Sequence, residues 1–382
     1  MVFKVIHSCP VWLPQTETWL HTQLSSLPRD RVEGHVVCDS TENLDQFPAE
    51  HIHSLGGRGS PRYWGNRVVR KLGLRRRSGL LVDVGRKLRA DIVHSHFGPT
   101  GWSDVRAAKK IGARHVVSFY GYDVGKLPRL EPIWRKRYSE MFAAVDAVLC
   151  EGPFMGQSIV ALGCPPQKLR IQHLGVPLRA SDFRPRRWVP GTPLRVLLAG
   201  SFTEKKGLPY ALAALSVFRN RLPLEITIVG DAQAGKLSPE KRRILHVIQE
   251  GGLGSTVRLL GYQPHARLME EAFSHHVFLS PSITARDGDS EGGAPVTIIE
   301  LASTGMPVIS TTHCDIPDVL GASSTPLLAP ERDVEGIIEC LRWLTTNLAS
   351  WPAMLSEIRA HIEAEYNSIR QGQRLADLYE RP

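Results

Sequence analysis

The residues best suited to chemistry in this chain are gathered between Arg286 and Ile309, in the run Arg-Asp-Gly-Asp-Ser-Glu-Gly-Gly-Ala-Pro-Val-Thr-Ile-Ile-Glu-Leu-Ala-Ser-Thr-Gly-Met-Pro-Val-Ile. Proline is tolerated in the first turn of a helix, so Pro295 predicts a helix over about Val296–Thr304. Gly305 then ends it, and Pro307 opens the next strand. The loop Gly292-Gly293-Ala294 leaves backbone N–H groups at the positive end of that helix, which makes an anion site. Glu300 lies about one and a half turns in. Its carboxylate can accept hydrogen bonds from the paired hydroxyls of a bound ligand.

A second candidate is Gly200-Ser201-Phe202-Thr203-Glu204-Lys205-Lys206-Gly207, directly after the apolar run Leu194–Ala199. Glycine lets the chain turn sharply, and the two lysines carry compact ammonium charges suited to phosphate oxygens. A bare Lys-Lys-Gly is more often a solvated turn; its place after a strand and the anion-binding loop downstream favour a site. Asp287-Gly288-Asp289 has the spacing of a metal site, but acidic tripeptides in glycine-rich loops are common by chance, and no metal is predicted. His94 and His96 flank Ser95 and could ligate a metal. No third ligand is evident, so a structural or ligand-loop role is expected.

These residues need strands to hold them. Apolar runs at Lys4–His7, Gly34–Cys38, Asp91–His94, His115–Phe119, Ala147–Cys150 and Leu169–His173 alternate with helix-length patterns such as Glu17–Leu27 and Ser103–Ile111. That alternation predicts parallel β-α-β units. The segment from Arg184 to Pro193 is rich in proline and charge and reads as a linker. The alternation then restarts with Leu194–Ala199, Leu224–Val229, Val257–Leu260, Val277–Leu279 and Pro307–Ser310 as strands, and Pro209–Asn220, Ser238–Glu250 and Ala266–Phe273 as helices. The expected fold class is α/β, with two Rossmann-like, doubly wound domains. Residues 1–185 form the first domain, 186–193 a linker and 194–355 the second. A last helix over 356–382 is expected to return to the first domain, within a segment Trp351–Tyr379 that looks helical throughout. Ligands of open parallel sheets bind beyond the carboxyl ends of the strands, so the site is expected in a cleft between the domains.

Composition narrows the class. At 382 residues, 42% hydrophobic and 22% charged, the chain is an ordinary globular one with room for two cores. No apolar run approaches the roughly 20 residues that cross a bilayer, and Met1–His7 does not read as a signal peptide. The six cysteines are scattered without a Cys-x-x-Cys pair. They suggest neither a metal cluster nor a disulfide framework, and a reducing, cytoplasmic setting is expected. Residues 1–190 carry 29 Lys+Arg against 16 Asp+Glu, a net of +13, while the remainder carries 18 against 22, a net of −4. Between Arg58 and Arg77 stand eight basic residues and no acidic one. Trp64, Val68 and Leu72 recur among them at helical spacing, compatible with an amphipathic helix on an anionic membrane; a solvated basic face is the alternative. No motif of a nucleic-acid binder accompanies the charge.

Taken in order, several pieces resemble the family 4 (group 1) glycosyltransferases of the GT-B fold, the bacterial group that builds lipopolysaccharide, capsule and exopolysaccharide. Glu291 through Val308 resembles that family's signature. Asp91–Gly98, Phe119–Val124, Leu162–Lys168, Gly175-Val176-Pro177, Val229-Gly230-Asp231, Leu260-Gly261-Tyr262 and Ser280-Pro281-Ser282 are similar to its other pieces. The resemblance covers nearly the whole chain. It implies a retaining, metal-independent enzyme, without a cofactor, that moves a sugar from a nucleotide-sugar donor to a glycan or lipid-linked acceptor. Lys206 and Glu291 would be its catalytic residues. Lys206 would hold the donor diphosphate, and Glu291 with the amides of Gly292, Gly293 and Ala294 the sugar and distal phosphate. Glu300 would bind the ribose. Gly261 and Tyr262 would lie near the base, and Gly200, Lys205 and Gly230 would line the nucleotide. Tyr120, Asp123, His96 and the loop Ser8–Thr18 would face the acceptor. An enzyme of this kind would be cytoplasmic, with peripheral membrane contact through Arg58–Arg77. Three departures stand out: Ser201 replaces the usual arginine, eight residues rather than seven separate Glu291 from Glu300, and Tyr120 stands where many members have histidine. A nucleotide-sugar epimerase, a glycogen-type synthase or an inactive binding protein on the same scaffold are the alternatives.

Overall fold

Apolar runs become the strands of two parallel sheets, buried at the sheet centres and partly exposed at edges such as Ile52–Ser54, Leu169–Ile171 and Val257–Leu259. The computed structural model describes residues 2–14, 17, 19–72, 79–232 and 238–381, and divides them into two units. The first unit comprises residues up to Pro177 together with those from Asn367 on. The strands of its main sheet are β1 (Phe3–Ser8), β2 (Val32–Cys38), β3 (Ile52–Ser54), β4 (Ile92–His96), β5 (Arg114–Ser118), β6 (Ala147–Cys150) and β7 (Leu169–Ile171). They lie in the order β3-β2-β1-β4-β5-β6-β7, all parallel. Successive side chains of a strand point to opposite faces, so Val5, Ile92, Val116 and Leu149 build one layer of core while Ile6, Val37 and Val93 build the other.

The second unit spans Leu178–Tyr366. It contains β8 (Leu194–Ala199), β9 (Leu224–Val229), β10 (Val257–Leu259), β11 (Val277–Ser280), β12 (Val308–Thr311) and β13 (Leu328–Ala329), in the order β10-β9-β8-β11-β12-β13. These pairs are also parallel. In each sheet the strand order reverses beside the first strand, between β1 and β4 and between β8 and β11. That reversal opens a crevice past the strands' carboxyl ends.

The structure differs from the sequence reading in two places. The proline-rich segment 186–193 packs into the second unit, where the buried Arg186 guanidinium donates to the Thr304 carbonyl (3.0 Å), Thr304 Oγ1 (3.0 Å) and the Ala272 carbonyl (3.1 Å). The boundary therefore falls earlier, between Pro177 and Leu178. The C-terminal segment is two helices, Trp351–Glu365 in the second unit and Ser368–Glu380 in the first. Asn367 separates them, because its Oδ1 accepts the Ile369 and Arg370 amides (3.0 and 3.1 Å) and starts a new helix.

Candidate active site

In the second unit the site is built at the carboxyl ends of β8, β9, β11 and β12. The turn after β8 carries Lys205 and Lys206 and ends at Gly207, whose φ is +63°. A Cβ there would lie 1.9 Å from the Pro281 carbonyl oxygen, so only glycine lets this turn meet the loop after β11. Gly230, after β9, sits against Gly200, where a Cβ would come within 2.0 Å of the Gly200 carbonyl oxygen. Close approach of these two loops requires glycine at 230. Its amide donates to the Gly261 carbonyl (2.8 Å), which brings the third loop of the set beside it. Tyr262 follows, with 46% of its surface exposed.

Lys206 and Glu291 meet here. Lys206 Nζ lies 3.0 Å from Glu291 Oε1, and Ser282 Oγ donates to the same oxygen (3.1 Å). The Glu291 side chain is 6% exposed. Burial alone would raise its pKa, but Lys206 and then Lys205 outweigh burial and hold it below the usual carboxylate range. Lys205 points elsewhere, to Asp289 Oδ1 (3.2 Å) and the Ser290 carbonyl (3.1 Å). The same pairing ties up Asp289, while Asp287 Oδ1 accepts the Asp289 amide.

The helix after the glycine loop runs Val296–Ser303, as the placement of Pro295 and Gly305 predicts. Of the three amides expected to face an anion, that of Gly292 donates to Ser290 Oγ (3.2 Å). Those of Gly293 and Ala294 have no acceptor among the described residues. Glu300 projects from the helix to His265 Nε2 (3.2 Å), and this hydrogen bond raises the imidazole pKa against the effect of its partial burial. Sequence reasoning missed His265. It also missed His313, which follows β12 and accepts the Glu291 amide on Nε2 (3.2 Å).

In the first unit, β1 and β4 pair His7 with His94 in register, and His96 shares the His94 face two residues on. The structure thus supplies a third histidine to the pair seen in sequence. The three rings are buried, with candidate ligand atoms within 4.8 Å of one another. Their nitrogens are, however, already engaged: His94 with Tyr379 Oη (2.6 Å) and Ser118 Oγ (2.7 Å), His96 with Tyr120 Oη (2.6 Å) and His7 Nδ1 (3.0 Å). Only His7 Nε2 lacks a partner. Burial first, then neighbouring histidines, lower all three pKa values, that of His7 to about 3, so the rings are neutral. They form a hydrogen-bonded support behind Tyr120. Asp123 is buried, its two oxygens committed to the Gly98 (2.7 Å) and Tyr120 (3.0 Å) amides, which shapes the Tyr120 loop. Glu17 carries a shift the sequence did not suggest: burial, then Asp123 and Glu42, push its carboxyl up to about 7.

The basic stretch forms a helix over Pro61–Lys71, capped by Ser60 Oγ on the Arg62 amide (3.2 Å) and containing no buried residue. Trp64, Val68 and Leu72 are 49, 56 and 67% exposed. Arg70 pairs with Asp39 (3.1 Å). Gly73, Leu74 and Arg75–Arg77 lie outside the described residues. Among the described residues no helix is long and apolar enough to cross a membrane.

Comparison with known proteins matches residues 16–180 to the model "Glycosyltransferase Family 4" and residues 193–347 to "Glycosyl transferases group 1". The chain is 30% identical over 295 residues to the amylovoran biosynthesis glycosyltransferase AmsK of Erwinia amylovora, covering 76% of this chain and 70% of that protein. It is 29% identical over 311 residues to the putative colanic acid biosynthesis glycosyltransferase WcaL of Escherichia coli, covering 79% and 73%. Among solved structures, Anabaena HepE in complex with UDP superposes with a TM-score of 0.76 at 13% identity, over 99% of both chains. The lipopolysaccharide outer core galactosyltransferase WaaB does so at 0.72 and 15%, over 100% of both. At these identities the likeness establishes the fold, which is GT-B.

Proposed function

Because the chain belongs to the family 4 (group 1) glycosyltransferases, we propose that it transfers a sugar from a nucleoside-diphosphate sugar to a glycan or lipid-linked acceptor in the synthesis of a cell-surface polysaccharide, on the cytoplasmic side of the membrane. The transfer retains the anomeric configuration and needs no metal or cofactor. The observation that carries this reading is the pairing of Lys206 with buried Glu291 beside the two acceptor-free amides of Gly293 and Ala294. As the donor bond breaks, negative charge grows on the leaving diphosphate. A lysine and a helix N-terminus already in place stabilise that charge, the work a metal would otherwise do. No enzymatic nucleophile is required if the leaving phosphate takes the acceptor's proton on the same face. Glu300, hydrogen-bonded to His265, would accept from a ribose diol. HepE is solved in complex with UDP and with UDP-glucose, and AmsK and the putative WcaL are named for amylovoran and colanic acid biosynthesis; both facts support the donor class and the process proposed.

The peripheral membrane contact belongs to the same proposal. The helix Pro61–Lys71 and its C-terminal cap Leu72 present Trp64, Val68 and Leu72 to solvent with Arg62, Arg67 and Lys71 around them, the arrangement of a helix lying in an anionic interface. Co-sedimentation with anionic vesicles, falling with salt, tests it; failure to bind at low salt refutes it. For the reaction, a thermal-shift screen of UDP, GDP, ADP and their sugars is expected to find one stabilising nucleotide. Proton NMR of the product from that donor should then show the donor's anomeric configuration. An inverted product, or conversion of the donor without transfer, would overturn the reading.

A further inference from the structure

We infer that His313 and Glu331 are positioning residues for the donor site, fixing the backbone of Glu291 so that the Gly293 and Ala294 amides face the donor's distal phosphate. This rests on the reading of the glycine loop as the phosphate site. The Glu291 amide donates to His313 Nε2 (3.2 Å), which Cys314 Sγ also approaches (3.1 Å); with that nitrogen offering its lone pair, the ring proton is on Nδ1. Nδ1 in turn donates to Glu331 Oε1 (2.6 Å), and the His313 side chain is fully buried. Glu331 is itself held in place. Its Oε2 accepts the Thr284 amide (2.9 Å) and pairs with Arg332 (3.1 Å), and its Oε1 accepts Thr284 Oγ1 (3.2 Å). Burial would raise its pKa, but the hydrogen bonds from His313 and the Thr284 amide outweigh burial and keep it below the usual value, hence ionised.

The chain Glu331–His313–Glu291 fixes one imidazole tautomer, and with it the acceptor that holds the loop. Two residues on, the Asp315 amide donates to the Gly293 carbonyl (3.1 Å), a second tie from the same turn. Between these ties Cys314 has φ +48°, a left-handed conformation that a residue with a Cβ keeps only where its surroundings demand it. With the Glu291 amide and the Gly293 carbonyl both held from one side, the Gly293 and Ala294 amides are the ones left without acceptors among the described residues.

The test separates phosphate contacts from the rest of the nucleotide. Calorimetry with UMP and UDP, GMP and GDP, and AMP and ADP first identifies the pair whose diphosphate the wild type binds. His313→Phe removes both ring nitrogens and is expected to weaken the diphosphate about ten-fold, the scale of one lost buried hydrogen bond. Affinity for the monophosphate should hold within about two-fold. His313→Gln keeps an acceptor for the Glu291 amide and a donor for Glu331, and should recover most of the diphosphate affinity. Glu331→Gln should fall between, and carries the comparison if His313→Phe does not fold. Equal losses for mono- and diphosphate, unchanged diphosphate binding, or a glutamine variant as weak as the phenylalanine one would overturn the inference and leave the donor site standing. A wild type that binds none of the six nucleotides would overturn the donor site, and the inference with it.

Discussion

Replacing Lys206 with alanine removes the ammonium paired with Glu291 beside the glycine loop. Loss of a single charge-stabilising donor costs about 10²–10³ in kcat. Here the lysine already contacts a carboxylate at 3.0 Å, so part of its charge is spent before the donor arrives, and the lower end, about 10², is expected. The change has a second effect. Glu291 stays behind with its side chain 6% exposed, and its other partner is the Ser282 hydroxyl. Leaving a buried group short of a partner costs about 1–3 kcal/mol. The pH dependence follows from the sign of the shift. Glu291 titrates below its ordinary 4.5 in the folded protein. The stability it contributes is therefore complete above that value and is lost as pH falls through the lowered one. In Lys206→Ala the carboxyl pKa rises, and the loss moves to higher pH. Steady-state kinetics by nucleoside-diphosphate release, with melting curves across acidic and neutral pH, read both effects. Lys205→Ala, whose ammonium serves Asp289 and the Ser290 carbonyl, is expected to lose less than about ten-fold. Equal losses in the two variants would refute the assignment of Lys206 to the phosphate.

EDTA is expected to leave transfer intact, since lysine and helix end supply the positive charge; inhibition reversed by Mg²⁺ or Mn²⁺ would instead point to Asp287 and Asp289. Glu300→Gln should weaken nucleotide binding in calorimetry while leaving the melting temperature nearly unchanged, because Glu300 bonds to the largely exposed His265. Unaltered affinity would reduce it to a helix residue. Gly230→Ala should destabilise the second unit by at least about 2 kcal/mol, because its Cβ would meet the Gly200 carbonyl oxygen at 2.0 Å. A wild-type melting temperature would mean that the two loops can part.

Much of the scaffold was legible in sequence because strands of parallel sheets are buried on both faces and appear as continuous apolar runs. Leu194–Ala199 and Leu224–Val229 form strands over the residues expected. The glycine loop and its helix were legible for a similar reason, since Pro295 and Gly305 fix the helix ends by backbone geometry alone. What escaped was set by distant partners. His313 stands just past a strand end, a place where ligand-facing residues collect, yet its role depends on Glu331 beyond the next strand. His7 joins His94 only through strand pairing. The segment 186–193 has a linker's composition, but the hydrogen bonds of Arg186 bury it. The break at Asn367 was signalled by an asparagine able to cap, and was read over because apolar spacing continues on both sides.

The first unit is closed by the helix Ser368–Glu380. Leu375, Ala376 and Tyr379 sit in its core, Tyr379 bonds His94, and the backbone at Gly372 presses so closely on the Ser26 carbonyl that a Cβ would lie 2.0 Å away. On the ribosome this has an order-of-events consequence. The second unit is one continuous stretch and can fold as it emerges, whereas the first, begun earlier, waits for residues made after the second is finished. Until then the face of β1, β4 and β5 that Tyr379 covers in the folded protein lacks that cover. The half that starts first is thus the half that matures last.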